Sequence, residues 1–266
     1  MVKDCEKLSG GNLSNVYKQN ETVLREQKAW SSTIHRVLKH LEKVGFTSCP
    51  RFLGIDQSGM EVLSYVHGEC IDNYPFTNDE KKQLLIIKRL GEMMRKYHDA
   101  TLSFERTESD NWMFSYKGTL EKEVICHNDI APYNITFVND MPYGIIDFDT
   151  CCPAPRIWDI VYALYRFVPF SNKLYDIEKH EYRYYDGTRD KELRKKSLQV
   201  FFKAYGIECP NDLFEQMIAR LQVLADLIYE EAKSGNSAFQ KMMEEGHRDL
   251  YLAEIDFIKE HAKEWL

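Results

Sequence analysis

Ile125-Cys126-His127-Asn128-Asp129-Ile130-Ala131-Pro132-Tyr133-Asn134-Ile135-Thr136-Phe137-Val138-Asn139-Asp140-Met141-Pro142-Tyr143-Gly144-Ile145-Ile146-Asp147-Phe148-Asp149 is the stretch that decides how this chain is read. Val124 to Cys126 leads in as a short apolar run. Ile135 to Val138 is apolar again, and Asn139-Asp140-Met141-Pro142 turns into Gly144-Ile145-Ile146. Short apolar runs bounded by Asn, Asp, Pro and Gly predict strand, polar loop, strand, turn and strand. The two arms of the second hairpin would bring Asn134 and Asp147 towards one point.

The spacing His-x-Asp-x-x-x-x-Asn, followed by Ile-Ile-Asp-Phe, is the layout that phosphoryl transfer from a nucleotide uses. A loose transition state needs a carboxylate to orient the acceptor hydroxyl and take its proton, and Asp129 is placed for that. Magnesium needs hard oxygen ligands, which Asn134 and Asp147 offer. His127, the other residue of the catalytic loop, props that loop. By residue frequencies the eight-residue spacing arises by chance in roughly one chain of this length in a hundred. A polar hairpin loop without chemistry is therefore the weaker reading.

Cys126 to Asp149 resembles the catalytic core of the aminoglycoside phosphotransferase and choline kinase group, relatives of the eukaryotic protein kinases that phosphorylate small molecules. The group's loop is typically His-x-Asp-x-x-x-x-Asn, as here, and its metal motif is Ile-Asp-Phe or Ile-Asp-Trp followed by Asp or Glu, as in Ile146-Asp147-Phe148-Asp149. Pro155-Arg156-Ile157-Trp158-Asp159-Ile160 is similar to the group's Arg-x-x-Asp-Leu-Ala helix start, whose Asp braces the catalytic loop. The resemblance implies a two-lobed, protein-kinase-like α+β fold. A small N-terminal sheet with one helix would occupy residues 1–66 and a larger, mainly helical lobe residues 67–266. It further implies ATP as co-substrate, Mg2+ held by Asn134 and Asp147, and Asp149 as a second metal contact or a support for the loop.

The region before the core fits that outline. Strand-like runs at Asn15 to Lys18, Thr22 to Arg25 and Met60 to Val66 surround one helical segment near Trp30 to Val44. Gly10, Gly11 and Ser14 lie in a turn able to bring backbone N–H groups close to phosphates, although an ordinary hairpin turn reads the same way. Val23-Leu24-Arg25 matches the group's strand ending in Lys or Arg, which makes Arg25 the candidate for the nontransferred phosphates; a surface cation is the alternative. Strand alternation sets Val23 on the same face, over an adenine ring. Protein kinases pair that cation with a Glu on the following helix. Here no Glu stands in the first half of that helix, and His35 is the nearest substitute. Ser64-Tyr65-Val66-His67-Gly68-Glu69 resembles the hinge, so Tyr65 and Val66 are expected at the adenine.

Thr77-Asn78-Asp79-Glu80 reads as a capping box opening a helix to about His98. After the core, Ile157, Ile160, Val161 and Leu164 line one helix face, and Ser171 to Asp190 reads as a loop. Helical patterns follow at about Lys191 to Tyr205, Asn211 to Ser234 and Ser237 to Lys263.

The chain has 266 residues, 44% hydrophobic, and a net charge of -7. That suffices for one large or two smaller cores, and the acidic balance argues against a nucleic-acid surface. No apolar run approaches a bilayer span, and the first residues have no signal-like segment, so a cytoplasmic protein without a membrane partner is expected. Seven cysteines with no Cys-x-x-Cys pair suit a reducing compartment. Residues 201–266 carry 13 Asp and Glu against 7 Lys and Arg. Either these are solvated helix faces or some of them favour a cationic acceptor. The expected activity is transfer of the γ-phosphate of ATP to a hydroxyl of a small molecule, aminoglycoside-like or amino-alcohol-like. A protein Ser/Thr kinase and a noncatalytic nucleotide-binding module are the alternatives.

Overall fold

The computed structural model describes residues 6–7, 16–71, 79–176 and 181–266. The expected phosphate turn with Gly10, Gly11 and Ser14, and Thr77 and Asn78 of the capping box, lie outside them.

In chain order the N-terminal elements are β1 (Glu6–Lys7), β2 (Val16–Gln19), β3 (Thr22–Glu26), α1 (Ser31–Lys43), β4 (Phe52–Ile55) and β5 (Met60–Ser64). The strands form one antiparallel sheet in the order β1-β2-β3-β5-β4. The apolar stripe of α1, Ile34, Val37, Leu38 and Leu41, is buried with at most 1% exposure. Burying each such side chain contributes about 1.5–3 kcal/mol before chain entropy is counted. Strand β4 was not legible as a strand; it is an edge strand with Leu53 and Ile55 facing solvent.

The chain continues through α2 (Glu80–Thr101), β6 (Val124–Cys126), a 3₁₀ turn at Pro132–Asn134, β7 (Ile135–Val138), β8 (Met141–Ile145), a second 3₁₀ turn at Phe148–Thr150 and β9 (Cys152–Ala154). Asp79 caps α2, its carboxylate accepting from the Lys82 amide at 3.1 Å. β6 pairs with β9 and β7 with β8, both antiparallel. Cys126, Cys151 and Cys152 are buried in this region, the Cys126 thiol donating to the Pro155 carbonyl at 3.2 Å and the Cys152 sulfur accepting from Asn128 Nδ2 at 3.2 Å.

Then come α3 (Arg156–Phe167), β10 (Lys173–Asp176), β11 (Glu181–Tyr184), α4 (Gly187–Tyr205), α5 (Leu213–Lys233), α6 (Ser237–Glu244) and α7 (His247–Trp265). Two expectations are corrected here. The segment Ser171 to Asp190 is no plain loop: β10 and β11 pair in register from Lys173↔Tyr184 to Asp176↔Glu181, and α4 has begun by Gly187, capped by Asp186. The single helix expected over Ser237 to Lys263 is two. Gly246 takes a left-handed φ of 77°, which glycine adopts at little cost and which stops α6 before α7 starts.

Contacts divide the chain into two compact units: residues 1–72 with 96–156, and residues 73–95 with 157–266. The first holds the five-stranded sheet, α1, the β6–β9 pair and the β7–β8 hairpin. In the second, the Arg194 guanidinium lies buried over the rings of Tyr185 at 4.1 Å and Trp265 at 4.6 Å, tying α4 to α7. Of the acidic residues of the last helices, Asp226, Asp249 and Asp256 are exposed, as solvated faces would be, whereas Glu254 is buried. Among the described residues, no helix is long and apolar enough to cross a membrane.

Candidate active site

The β7–β8 hairpin assembles the site from the sequence upward. Ile135 pairs with Ile145, and the Ile146 amide donates to the Asn134 carbonyl at 2.9 Å, so Asn134 and Asp147 leave the two arms side by side. Gly144 is needed for this packing: a Cβ there would come within 2.5 Å of the Val66 side chain. Gly68 has φ 115°, and a Cβ would meet the Phe137 carbonyl at 2.7 Å. Both glycines let the hairpin lie directly against the segment containing Tyr65 and Val66, where Glu69 and Phe137 exchange backbone hydrogen bonds at 3.0 and 2.9 Å.

Asp129 is half-buried, and both its carboxylate oxygens are engaged. Oδ1 accepts from the Tyr133 hydroxyl at 2.8 Å and Oδ2 from Asn134 Nδ2 at 2.8 Å. Asn134 Nδ2 also donates to the Asp129 carbonyl at 3.0 Å. With its N–H groups turned to Asp129, the Asn134 amide leaves its oxygen for a cation. His127 is fully buried. Its Nε2 lies 3.0 Å from the Ile146 carbonyl, its Nδ1 accepts from the Asp129 amide at 3.3 Å, and its ring meets Phe148 edge-on at 5.0 Å. It therefore ties the catalytic loop to the strand end that delivers Asp147.

Asp147 has a left-handed backbone, φ 61° and ψ 73°, which a non-glycine residue adopts at a cost and which recurs at functional sites. Its side chain is 47% exposed and touches Arg25 Nη1 through Oδ1 at 3.3 Å. Arg25 is no surface cation: it is buried, with Nη2 donating to Asp149 at 2.7 Å and Nε donating to Glu61. Burial alone would weaken the Arg25 charge, but Asp149, Glu61 and Asp147 outweigh it and hold the guanidinium more firmly protonated than usual. Burial pushes the Asp149 carboxyl above the usual carboxylate range, opposed by Arg25.

Glu61 is the functional residue that sequence reasoning missed, and it corrects the expectation for His35. The acid that pairs with Arg25 stands on β5. The His35 Nε2 bonds to the second oxygen of Glu61, so Glu61 stands between His35 and the Arg25 guanidinium. The signal was present in Met60-Glu61-Val62-Leu63-Ser64, where a carboxylate shares the strand face of buried Leu63. A charge in that phase calls for a buried partner.

Three carboxylates thus converge on one guanidinium, and the Asn134 amide oxygen lies at the start of the neighbouring β7 arm. That donor set is short of positive charge and made of hard oxygens, which suits Mg2+ at Asn134 and Asp147. Val23 lies on β3 two residues before Arg25, in register with Leu63. Tyr65 is covered by Lys18 Nζ at 3.7 Å from its ring centroid.

Comparisons with known proteins give a family match, a relative and structural neighbours. The model of the phosphotransferase enzyme family (APH) matches residues 105–193, which include Asp129, Asn134 and Asp147. The trifolitoxin immunity protein of Rhizobium leguminosarum bv. trifolii is 30% identical over 204 residues, covering 75% of this chain and 73% of that protein. The streptomycin–ATP ternary complex of APH(2")-IIa superposes with a TM-score of 0.54 at 15% identity, covering 83% of each chain. The GDP complex of aminoglycoside 2'-phosphotransferase-IIIa gives 0.59 at 14% identity, covering 96% of this chain and 93% of that one. These likenesses show the protein-kinase-like α+β fold. Taken with the family match and the relative, they make this chain a member of the phosphotransferase enzyme family.

Proposed function

We propose that the protein transfers the γ-phosphoryl group of a nucleoside triphosphate, ATP in the first instance, to a hydroxyl of a small molecule. The observation that carries the reading is the joined set Asp129, Asn134 and Asp147 beside a buried Arg25. The acceptor oxygen forms the new P–O bond as the bond to the β,γ-bridging oxygen breaks, the diphosphate leaves, and the hydroxyl proton passes to Asp129. Asn134 and Asp147 would hold magnesium, which when bound would neutralise charge on the phosphates. Arg25 pairs with the nontransferred phosphates, for which its planar fork is suited. Asp149 holds Arg25 and would offer its carboxylate as a second metal contact. Backbone groups between Tyr65 and Gly68 take the adenine, with Tyr65, Val66 and Val23 around it.

Two features favour a small acceptor over a protein. After Asp147 the chain returns at once to the β6–β9 pair through Cys152–Ala154, leaving no room for a long peptide-docking segment. The stretch Cys151-Cys152-Pro153-Ala154-Pro155-Arg156 also has no Ala-Pro-Glu anchor. The immunity protein among its relatives, and the streptomycin bound by a protein of the same fold, make a toxic or antibiotic compound the first class to try. The test is magnesium-dependent release of ADP or GDP over amino sugars, quaternary amines, amino alcohols and neutral sugars, with phosphorylated product confirmed by mass. Nucleotide binding without turnover on any class would favour a noncatalytic module.

A further inference from the structure

We infer that Glu61 and His35 are positioning residues for Arg25, and that this chain takes the acid partner of its phosphate-pairing cation from the sheet. The inference rests on the function proposed above. Arg25 and Glu61 are direct cross-strand partners in the β3–β5 ladder. Such neighbours share a face with Cβ atoms about 4.5–5.5 Å apart. Arg25, Glu61 and buried Leu63 share one face of the ladder, and a one-residue slip would turn Glu61 and Leu63 off that face together, so the burial that favours this register also favours the ion pair.

Glu61 has no exposed surface, and both its oxygens are used, one by Arg25 Nε and the other by His35 Nε2. A buried carboxylate so held cannot swing, and it grips the guanidinium from the Nε edge. Nη1 and Nη2 are thereby directed at Asp147 and Asp149, the side where phosphates and metal would lie. The His35 ring is itself stacked on Phe52 at 3.7 Å, and α1 is pinned by Asn111, whose amide donates to Thr33 Oγ1 at 2.8 Å.

In protein kinases the acid rides on the helix, so moving the helix breaks the pair. Here the pair belongs to the sheet and outlasts a displacement of α1, which contributes only the indirect contact through His35. Loss of Glu61 should therefore matter more than loss of His35, and both should act on phosphate recognition.

The experiment compares parent, Glu61→Gln, Glu61→Asp and His35→Ala for binding of magnesium–ATP and of adenosine, which lacks phosphates. Glu61→Gln should weaken magnesium–ATP by about tenfold or more, the scale of a hydrogen bond to a charged group, and leave adenosine unchanged. Glu61→Asp, which keeps the charge but draws it back, and His35→Ala should show smaller losses of the same selectivity. Parental affinity for magnesium–ATP in Glu61→Gln would overturn the inference, as would equal losses for both ligands. If Glu61→Gln does not fold, parental affinity in both Glu61→Asp and His35→Ala overturns it instead. A parent that binds no magnesium nucleotide overturns the proposed function, and this inference with it.

Discussion

Replacing Asp129 with Asn separates the chemistry of the loop from its architecture. The carboxylate accepts from the Tyr133 hydroxyl and from Asn134 Nδ2, each at 2.8 Å. An amide N–H2 turned towards Asn134 would set donor against donor, whereas turned towards Tyr133 it meets a phenol oxygen able to accept. The variant amide is therefore expected to keep its oxygen on Asn134 and to cost no more than about 1 kcal/mol of stability, the net worth of one hydrogen bond. What disappears is the base. Turnover should fall by about 10²–10⁴, or about 2.7–5.4 kcal/mol of barrier at 1.36 kcal/mol per tenfold. Coupled ADP release on the best acceptor, run beside calorimetric titration with magnesium–ATP, measures both halves. Wild-type turnover would remove Asp129 from the reaction; a collapse of nucleotide binding in a folded variant would show that the loop, and not the proton transfer, had been damaged.

Further outcomes are expected at neighbouring positions. Asp147→Ala should abolish the magnesium enhancement of ATP binding while leaving the fold intact, since a side chain 47% exposed contributes little to the core; equal enhancement in variant and parent would sink the metal assignment. Tyr133→Phe removes one hydrogen bond to the Asp129 carboxylate and should lower kcat by roughly tenfold with KM for nucleotide unchanged, whereas an unaltered kcat would make that bond incidental. Burial raises the Glu254 carboxyl from 4.5 to about 7, so between those values the native state binds the extra proton and stability falls as pH rises. Over that span the penalty reaches about 3 kcal/mol. Glu254→Gln keeps an acceptor for the Asn172 amide and should raise Tm by several degrees at pH 8 but hardly at all near pH 4.5; the same shift at both pH values would contradict the burial argument.

Much of this was legible because it is local. His127, Asp129, Asn134 and Asp147 lie within 21 consecutive residues, and hairpin turns set their proximity without help from distant contacts. The strands bearing Arg25 and Val23 and the helix bearing His35 were legible for the same reason, being short periodic runs. Glu61 was missed because its partner is 36 residues away, and only the β3–β5 register, a tertiary fact, sets the two opposite each other. The β10–β11 hairpin was missed because Tyr175, Tyr182 and Tyr184 alternate with charged residues in a stretch whose polarity reads as loop; Tyr182 and Tyr184 are indeed exposed. The break at Gly246 was missed because one glycine inside a helical pattern can be tolerated at a cost of about 1 kcal/mol and so does not by itself mark a helix end.

Gly68 and Gly144 turn the close approach of the Tyr65–Glu69 segment and the β7–β8 hairpin into a ruler. Under the proposed function one end of the nucleotide rests on the first of these and its metal-bound end on the second, and the two are fastened together by backbone hydrogen bonds within a single compact unit. A ligand on such a ruler is selected for length: the span from base to γ-phosphate is fixed before binding, and little conformational entropy remains to be lost. Backbone groups read the base only coarsely, so exchanging one purine for another should be tolerated far better than adding or removing a phosphate.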